Sequence, residues 1–296
     1  MNELKKVENN LTVQTEKTDP IIGIAFGGGG IRGLAHFAVM EKFKEVGLKA
    51  HMVSGTSIGS GIAAMYANGK YGKEISEKVL AMDFYKLFPL GGVSGKIGLS
   101  NGEKYARTFV DLVGVETFEE LPIPLRIISV DLIHWEKVIH DSGSLQLAIQ
   151  ASSALPGAFA PVEDGDRLLS DGGAVDNCPA EILREMGADI VIAIDLDYRD
   201  YSRPKNAIDV VKRFSEIVIS NGRWAEKADV VVKPFEGYVA ALALNKGEYC
   251  YELGQKAIEE KMPEILQTIE DWYDERGLVC PDIYQPDSYL VNKLGL

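Results

Sequence analysis

The chain is poor in cysteine and histidine, carries no excess of positive charge, and has no long apolar run. Its three cysteines, Cys178, Cys250 and Cys280, are odd in number and lack C-x-x-C spacing, which argues against a disulfide framework or a zinc site and for a reducing compartment. Four histidines are present, and none stands at metal-ligand spacing. A net charge of -13, with Lys and Arg scattered along the chain, argues against a nucleic-acid partner and against a strongly anionic membrane surface. No stretch reaches the roughly 20 apolar residues of a membrane-spanning helix. The first 19 residues are polar and mixed in charge, without the apolar segment of a secretory signal. The expectation is a cytoplasmic protein that touches membranes, if at all, at their surface.

What is present is the composition of a folded globular chain: 296 residues, 46% hydrophobic and 25% charged. Neither an internal repeat nor a Gly-, Ser- or charge-rich linker divides it. The reading is a polar, mobile tail over residues 1–20 and one domain over 21–296 with a helical C-terminal region. Short continuous apolar runs at 21–26, ending near Val53, at 190–195 and at Val230–Val232 suit buried parallel strands. Residues 125–132, 137–140 and 167–170 read as further strands. Helical spacing covers Phe37 to Val46, the stretch from Ile58, 74–82, 144–153, Ala207–Ser220 and 254–272, the last entered or bent at Pro263. The fold class is therefore α/β, helices packed on a mostly parallel sheet.

The centre of the pattern is Gly55-Thr56-Ser57-Ile58-Gly59. An apolar strand ends just before it and a helix starts just after it. A serine in such a G-x-S-x-G turn is held in a strained conformation with its hydroxyl exposed, while the flanking glycines let backbone pass close by. Ser57 is the candidate nucleophile. Upstream, the first strand empties into Gly27-Gly28-Gly29-Gly30-Ile31-Arg32-Gly33. Gly28, Gly30 and Gly33 satisfy G-x-G-x-x-G, but a dinucleotide site also needs an acidic residue about 20 positions on, and residues 51–54 hold none. The better reading is a cradle of backbone N–H groups for a negative oxygen, such as the oxyanion of acyl transfer. Arg32 either adds positive charge there or pairs with a surface carboxylate.

Other features leave alternatives open. Asp171-Gly172-Gly173 at a strand end is a turn by composition, or it supplies the missing base. Asp195 and Asp197 resemble half a metal site, without partners to complete it. Residues 84–99 are too apolar for a solvated loop and too rich in Gly and Pro for a helix, which suits a flap over an apolar pocket or an irregular piece of core. Ser100-Asn101-Gly102-Glu103 fits a capping box for a helix presenting Tyr105, Phe109 and Leu112. His134 and His140, the histidines after Ser57 that a Ser-His-Asp scheme would need, fall in an expected hairpin.

Four blocks, residues 27–33, Gly55-Thr56-Ser57-Ile58-Gly59, Ala151-Ser152-Ser153-Ala154-Leu155-Pro156 and Asp171-Gly172-Gly173, stand in the order seen in patatin-like phospholipases. The chain resembles the bacterial members, which are similar to the catalytic domain of neuropathy target esterase. That resemblance implies a three-layer α/β/α sandwich and hydrolysis of phospholipid or lysophospholipid esters by a Ser-Asp dyad without metal or cofactor. It implies Ser57 as nucleophile, Asp171 as general base and Gly28, Gly29 and Gly30 as the oxyanion loop, with Arg32, Gly33, Gly55, Gly59, Gly172 and Gly173 supporting them. Head-group preference and oligomeric state have no signature in the sequence. A non-catalytic lipid-binding protein is the remaining alternative.

Overall fold

The computed structural model describes residues 18–87, 100–198, 201–220, 222–286 and 289. The polar tail expected over 1–20 falls almost wholly outside the described residues, as does the apolar segment 84–99 beyond Leu87. Among the described residues eight strands form one sheet: β1 (Ile22–Phe26), β2 (Met52–Thr56), β3 (Leu125–Asp131), β4 (Glu136–His140), β5 (Val162–Asp164), β6 (Arg167–Asp171), β7 (Ile190–Ile194) and β8 (Val230–Val232). The hydrogen-bonded path is β5-β6-β3-β2-β1-β7-β8, with β4 also on β3. Strands β3, β2, β1, β7 and β8 run parallel, and β4, β5 and β6 are antiparallel additions. The central strands are largely apolar because both faces are covered: every residue of β1, β2 and β7 is buried, and the two polar ones, Ser54 and Thr56, donate to the carbonyls of Pro179 and Asp176.

The register along β3 positions the site. Thr56 of β2 lies opposite Ile128, and Asp171 of β6 lies opposite Ser129. Strand β4 pairs with Ile127 through Asp131, overlapping both partners, so it must occupy the other edge of β3. Strands β2 and β6 therefore share one edge and run towards each other, ending at adjacent residues of β3.

The helices are α1 (Leu34–Glu45), α2 (Ile58–Ala67), α3 (Lys73–Leu80), α4 (Phe84–Leu87), α5 (Glu103–Val113), α6 (Leu145–Ser152), α7 (Gly173–Asp176), α8 (Ala180–Glu185), α9 (Ala207–Ser220) and α10 (Gly247–Asp274). Alternation along β1 sends Ile22, Ile24 and Phe26 to a core with Phe37, Met40, Ile62, Ile265 and Leu266 of α1, α2 and α10. Ala25, Val191 and Ala193 face the opposite core, made with Ile182 and Leu183 of α8. The result is the α/β/α sandwich that the sequence resemblance implied.

Two local expectations change. Helix α10 begins at Gly247, ahead of Gly254, and continues through Pro263. Gly254 is instead a packing residue, since a Cβ there would come 2.5 Å from the Ala35 carbonyl oxygen of α1. The capping box at Ser100–Glu103 does not form: Gly102, with φ 69°, takes the cap position, and Asn101 Oδ1 accepts the Glu103 N–H at 3.2 Å. The reciprocal box occurs at Thr117, where Glu120 Oε2 accepts the Thr117 N–H at 3.0 Å. Strand β5 and helices α7 and α8, of 3, 4 and 6 residues, are too short to leave a periodic signal.

The α1–α10 contact generates a prediction. Gly254→Val should destabilise the fold by about 1–3 kcal/mol, the ordinary range for overpacking a close contact. An unchanged denaturation midpoint would show that the two helices part freely there.

Candidate active site

Ser57 closes β2 and caps α2 with φ 54° and ψ -128°. A side chain in this region is strained by about 1–3 kcal/mol, so surrounding contacts must hold it. Those contacts are explicit. The Ser57 N–H donates to Ser152 Oγ at 2.9 Å, and the Ser152 hydroxyl donates in turn to the Ile128 carbonyl at 2.6 Å. The Ser57 carbonyl accepts from Ser60 Oγ at 2.6 Å and from the Ser60 N–H at 2.9 Å. Gly55 and Gly59 permit the turn's closeness: a Cβ at Gly55 would overlap the Gly59 carbonyl, and one at Gly59 would overlap that of Phe26.

The end-to-end register of β2 and β6 brings Ser57 to Asp171. The Ser57 hydroxyl donates to Asp171 Oδ2 at 2.7 Å, and the Gly173 N–H donates to Asp171 Oδ1 at 2.8 Å. The Asp171 N–H and the Ser170 hydroxyl both bond to the Ala154 carbonyl, at 3.2 and 2.7 Å. A Cβ at Gly172 would overlap the Ile128 carbonyl, so this turn presses on the same point of β3 that anchors Ser152. Burial dominates the electrostatics of Asp171 and raises its pKa from 3.8 to about 6, against the lowering effect of the Ser57 and Gly173 hydrogen bonds.

The glycine loop lies against this pair. A Cβ at Gly28 would stand 3.1 Å from Ser57 Cβ and would overlap the Asn177 amide oxygen. Gly27 and Gly28 give their N–H groups to the carbonyls of Ile194 and Asn177, at 3.0 and 2.9 Å. Among the described residues, no backbone carbonyl takes the N–H of Gly29 or Gly30. Gly30 adopts φ 59°, with Ala241 so close that no Cβ would fit. Arg32 is drawn inward: its Nε donates to the Gly29 carbonyl at 3.2 Å, and Asp197 and Glu216 face its charge. Gly33 makes room for Ile58 at the start of α2. A cavity of about 30 Å³ opens on Ser57 and Gly30 between Tyr105, Leu155, Phe159 and Leu242.

The two histidines are engaged elsewhere. His134 Nδ1 lies 2.6 Å from Asp131 Oδ2, and His140 Nε2 lies 2.8 Å from Ser129 Oγ, with burial pulling the His140 pKa down to about 4. Among the described residues no His, Cys, Asp and Glu cluster is arranged to hold a metal ion. Ser152 and Asn177 join this constellation without a sequence signature of that role. Ser152 stood in a quoted block without a role, and a polar Asn177 before the apolar Cys178-Pro179-Ala180 was its only signal.

A strained serine on a strand-to-helix turn is thus hydrogen-bonded to a buried carboxyl beside a glycine loop, on an α/β/α fold. The chain belongs to the patatin-like phospholipase family, whose sequence profile matches residues 24–184, more than half of the 296. Among its relatives is an NTE family protein of Mycobacterium tuberculosis, 32% identical over 186 residues, covering 61% of this chain and 50% of that one. Human patatin-like phospholipase domain-containing protein 6 is 31% identical over 222 residues, covering 72% of this chain and 16% of that one. This chain thus spans half or less of these two relatives. In solved structures the fold recurs in VipD from Legionella pneumophila, with a TM-score of 0.54, 13% identity, and coverage of 84% of this chain and 70% of that one.

The buried Asp171 generates a prediction about stability. Because its folded pKa of about 6 lies above 3.8, the carboxyl contributes stability that is fully present below about pH 4 and lost as pH rises through about 6. The ionised group then opposes folding by about 3 kcal/mol at neutral pH. The isosteric Asp171→Asn should therefore raise the thermal midpoint by several degrees near pH 7.5 and lose that advantage near pH 4. The same shift at both pH values would remove burial as the cause.

Proposed function

We propose that the protein is a serine acyl hydrolase that cleaves phospholipid or lysophospholipid esters through a Ser57–Asp171 dyad and an acyl-enzyme intermediate. The observation that carries this reading is the 2.7 Å hydrogen bond from Ser57 Oγ to Asp171 Oδ2, a carboxyl whose pKa is pushed up to about 6. An exposed aspartate is a poor base for an alcohol, whereas one near pKa 6 is ionised at neutral pH and still accepts a proton in the transition state. Family membership supports lipid esters as the substrate class.

In this scheme Ser57 Oγ attacks the ester carbonyl carbon as its proton passes to Asp171 Oδ2. The tetrahedral oxyanion is received by the N–H groups of Gly29 and Gly30, while Gly28, whose N–H is already given to Asn177, keeps the loop against the serine. The start of α2 adds the positive end of a helix dipole at the same point. Collapse breaks the ester C–O bond, and Asp171 returns the proton to the leaving alcohol. Water then attacks the acyl carbonyl, gives its proton to Asp171, and releases the fatty acid as Ser57 recovers a proton. No cofactor or metal enters the scheme.

The substrate is reached at a lipid surface, and the protein works as a cytoplasmic, peripherally bound enzyme. In support, α9 packs against α7 with Ile219 next to Gly173, and it exposes Val210, Phe214, Ile217 and Val218. Trp135, 91% exposed, stands at the tip of the β3–β4 hairpin, whose strands also contact α7. Among the described residues no helix is long and apolar enough to cross a membrane.

Three measurements test the reading. With a soluble ester, kcat/KM should rise through a single ionisation near pH 6, because Asp171 must be deprotonated. Ser57→Ala and Asp171→Asn should each lower kcat by about a thousandfold or more while the proteins stay folded, and Ser57→Ala should abolish labelling by a fluorophosphonate. His134→Ala and His140→Ala should keep most activity. A folded histidine variant as inactive as Asp171→Asn would replace the dyad with a triad, and a folded wild type that takes no label would favour a lipid-binding protein.

A further inference from the structure

A second and larger cavity, about 310 Å³, lies at the C-terminal ends of β7 and β8, on residues that the scheme above does not use except Asn177. Its volume is at the lower end of small-molecule sites, which run about 300–1,000 Å³. Its lining combines aromatic walls, Tyr198, Trp224 and Phe235, with the carboxylates of Asp195, Asp197, Glu226 and Glu236. Two cations also reach it, but each is already opposed by a carboxylate: Lys233 Nζ stands 3.5 Å from Asp195 Oδ2, and Arg223 Nε 3.8 Å from Glu226 Oε1. Arg32 opposes Asp197 as well, so four lining carboxylates meet three cations and one negative charge stays in excess inside a partly desolvated space. An anionic ligand would meet that excess, and an apolar one would strip water from carboxylates without replacing it.

The aromatic wall is built in place. Arg223 adopts φ 48°, a strained backbone for a side chain, and the turn it makes lays the Trp224 indole so close over Gly222 that no Cβ would fit there. Trp224 Nε1–H is committed to the Ile219 carbonyl at 3.2 Å, which leaves the ring face as what the indole offers to the cavity. An aromatic face beside carboxylates is the chemistry that recognises organic ammonium ions, through the ring quadrupole and a direct charge contact. Burial, helped by the neighbouring Asp195, holds the Asp197 carboxyl above its ordinary range even against a hydrogen bond from Ser220 and the charges of Arg32 and Lys233, so a further cation in the cavity would favour its ionised form.

The cavity also touches the glycine loop. Asn177 lines it, takes the Gly28 N–H on its backbone carbonyl at 2.9 Å, and donates from its side-chain amide to the Gly28 carbonyl at 3.4 Å. We infer that this cavity binds a small organic ammonium ion, whose presence is passed to the glycine loop through Asn177. The binding half stands alone; the coupling half rests on the proposed role of that loop in ester hydrolysis.

The test separates the two halves. Calorimetry on Ser57→Ala should show saturable binding of choline and of tetramethylammonium, with 3,3-dimethylbutanol, the neutral isostere of choline, weaker by about tenfold or more. Asp197→Asn should weaken choline binding by a similar factor, and Trp224→Phe should weaken it less than Trp224→Leu. Separately, saturating tetramethylammonium should change kcat of the wild type on a soluble short-chain ester by about twofold or more, within the range of ordinary coupling energies. The site is overturned if neither cation binds saturably, if the neutral isostere binds equally well, or if inorganic phosphate competes for the same cavity. Binding without any change in kcat overturns the coupling alone. If the wild type hydrolyses no ester, the catalytic proposal fails while calorimetry still decides the ammonium site.

Discussion

A strand has two edges, and β3 must serve three partners with them. Strand β4 fills one edge from Ile127 to Asp131, so β2 and β6 divide the other and stop at Ile128 and Ser129. Their chain ends are thereby held at the spacing of neighbouring residues, and the turn leaving one carries Ser57 while the turn leaving the other carries Asp171. The remaining contacts refine this placement. Ser152 and Gly172 converge on the Ile128 carbonyl, so the point where the strands abut is also where both turns are braced. Strain at Ser57 and desolvation at Asp171 are sustained because neither turn can relax without breaking sheet pairing.

The two unfavourable terms act together. An exposed Asp171 would be easier to fold around and less able to take a proton from an alcohol; a relaxed Ser57 would point its hydroxyl elsewhere. Both are local losses of stability placed at one spot, offset by a sheet whose central strands are buried on both faces. Asn177 is the third element of that balance, a buried polar residue that fixes Gly28 from behind and leaves Gly29 and Gly30 free to face a ligand.

Much of this was readable in the sequence, for physical reasons that also mark the limit. Continuous apolar runs announce strands covered on both faces, as at β1, β7 and β8; β2 runs past the expected end near Val53 through Ser54, Gly55 and Thr56, because polar and glycine residues carry no such signal. Glycines that backbone approaches closely, at Gly55 and Gly59, and the one that Asn177 and Ser57 crowd, Gly28, carry their own signal, because no other residue fits. Ser152 was harder: serines are common at helix ends, and only the fold reveals that this one bridges the Ser57 N–H to β3. Gly254 misled in the opposite sense, since a glycine required by a helix crossing looks like one that starts a helix. The 310 Å³ cavity was invisible, because its walls come from β7, β8 and the turn at Arg223, which no local pattern connects.

The head-to-head strand ends have a consequence for the chain as it is made. Ser57 and the Asp171 carboxyl that its hydroxyl meets are separated by 114 residues, and the strand carrying the carboxyl is antiparallel to the one that receives it. A growing chain therefore displays the serine turn long before β6 leaves the ribosome, with Ser60 and Ser152 already made but no carboxyl beside the serine hydroxyl. The pairing would form all at once, when the last edge of β3 is filled. A chain stalled or truncated before Arg167 would leave the Ser57 hydroxyl without the carboxylate it bonds in the folded protein.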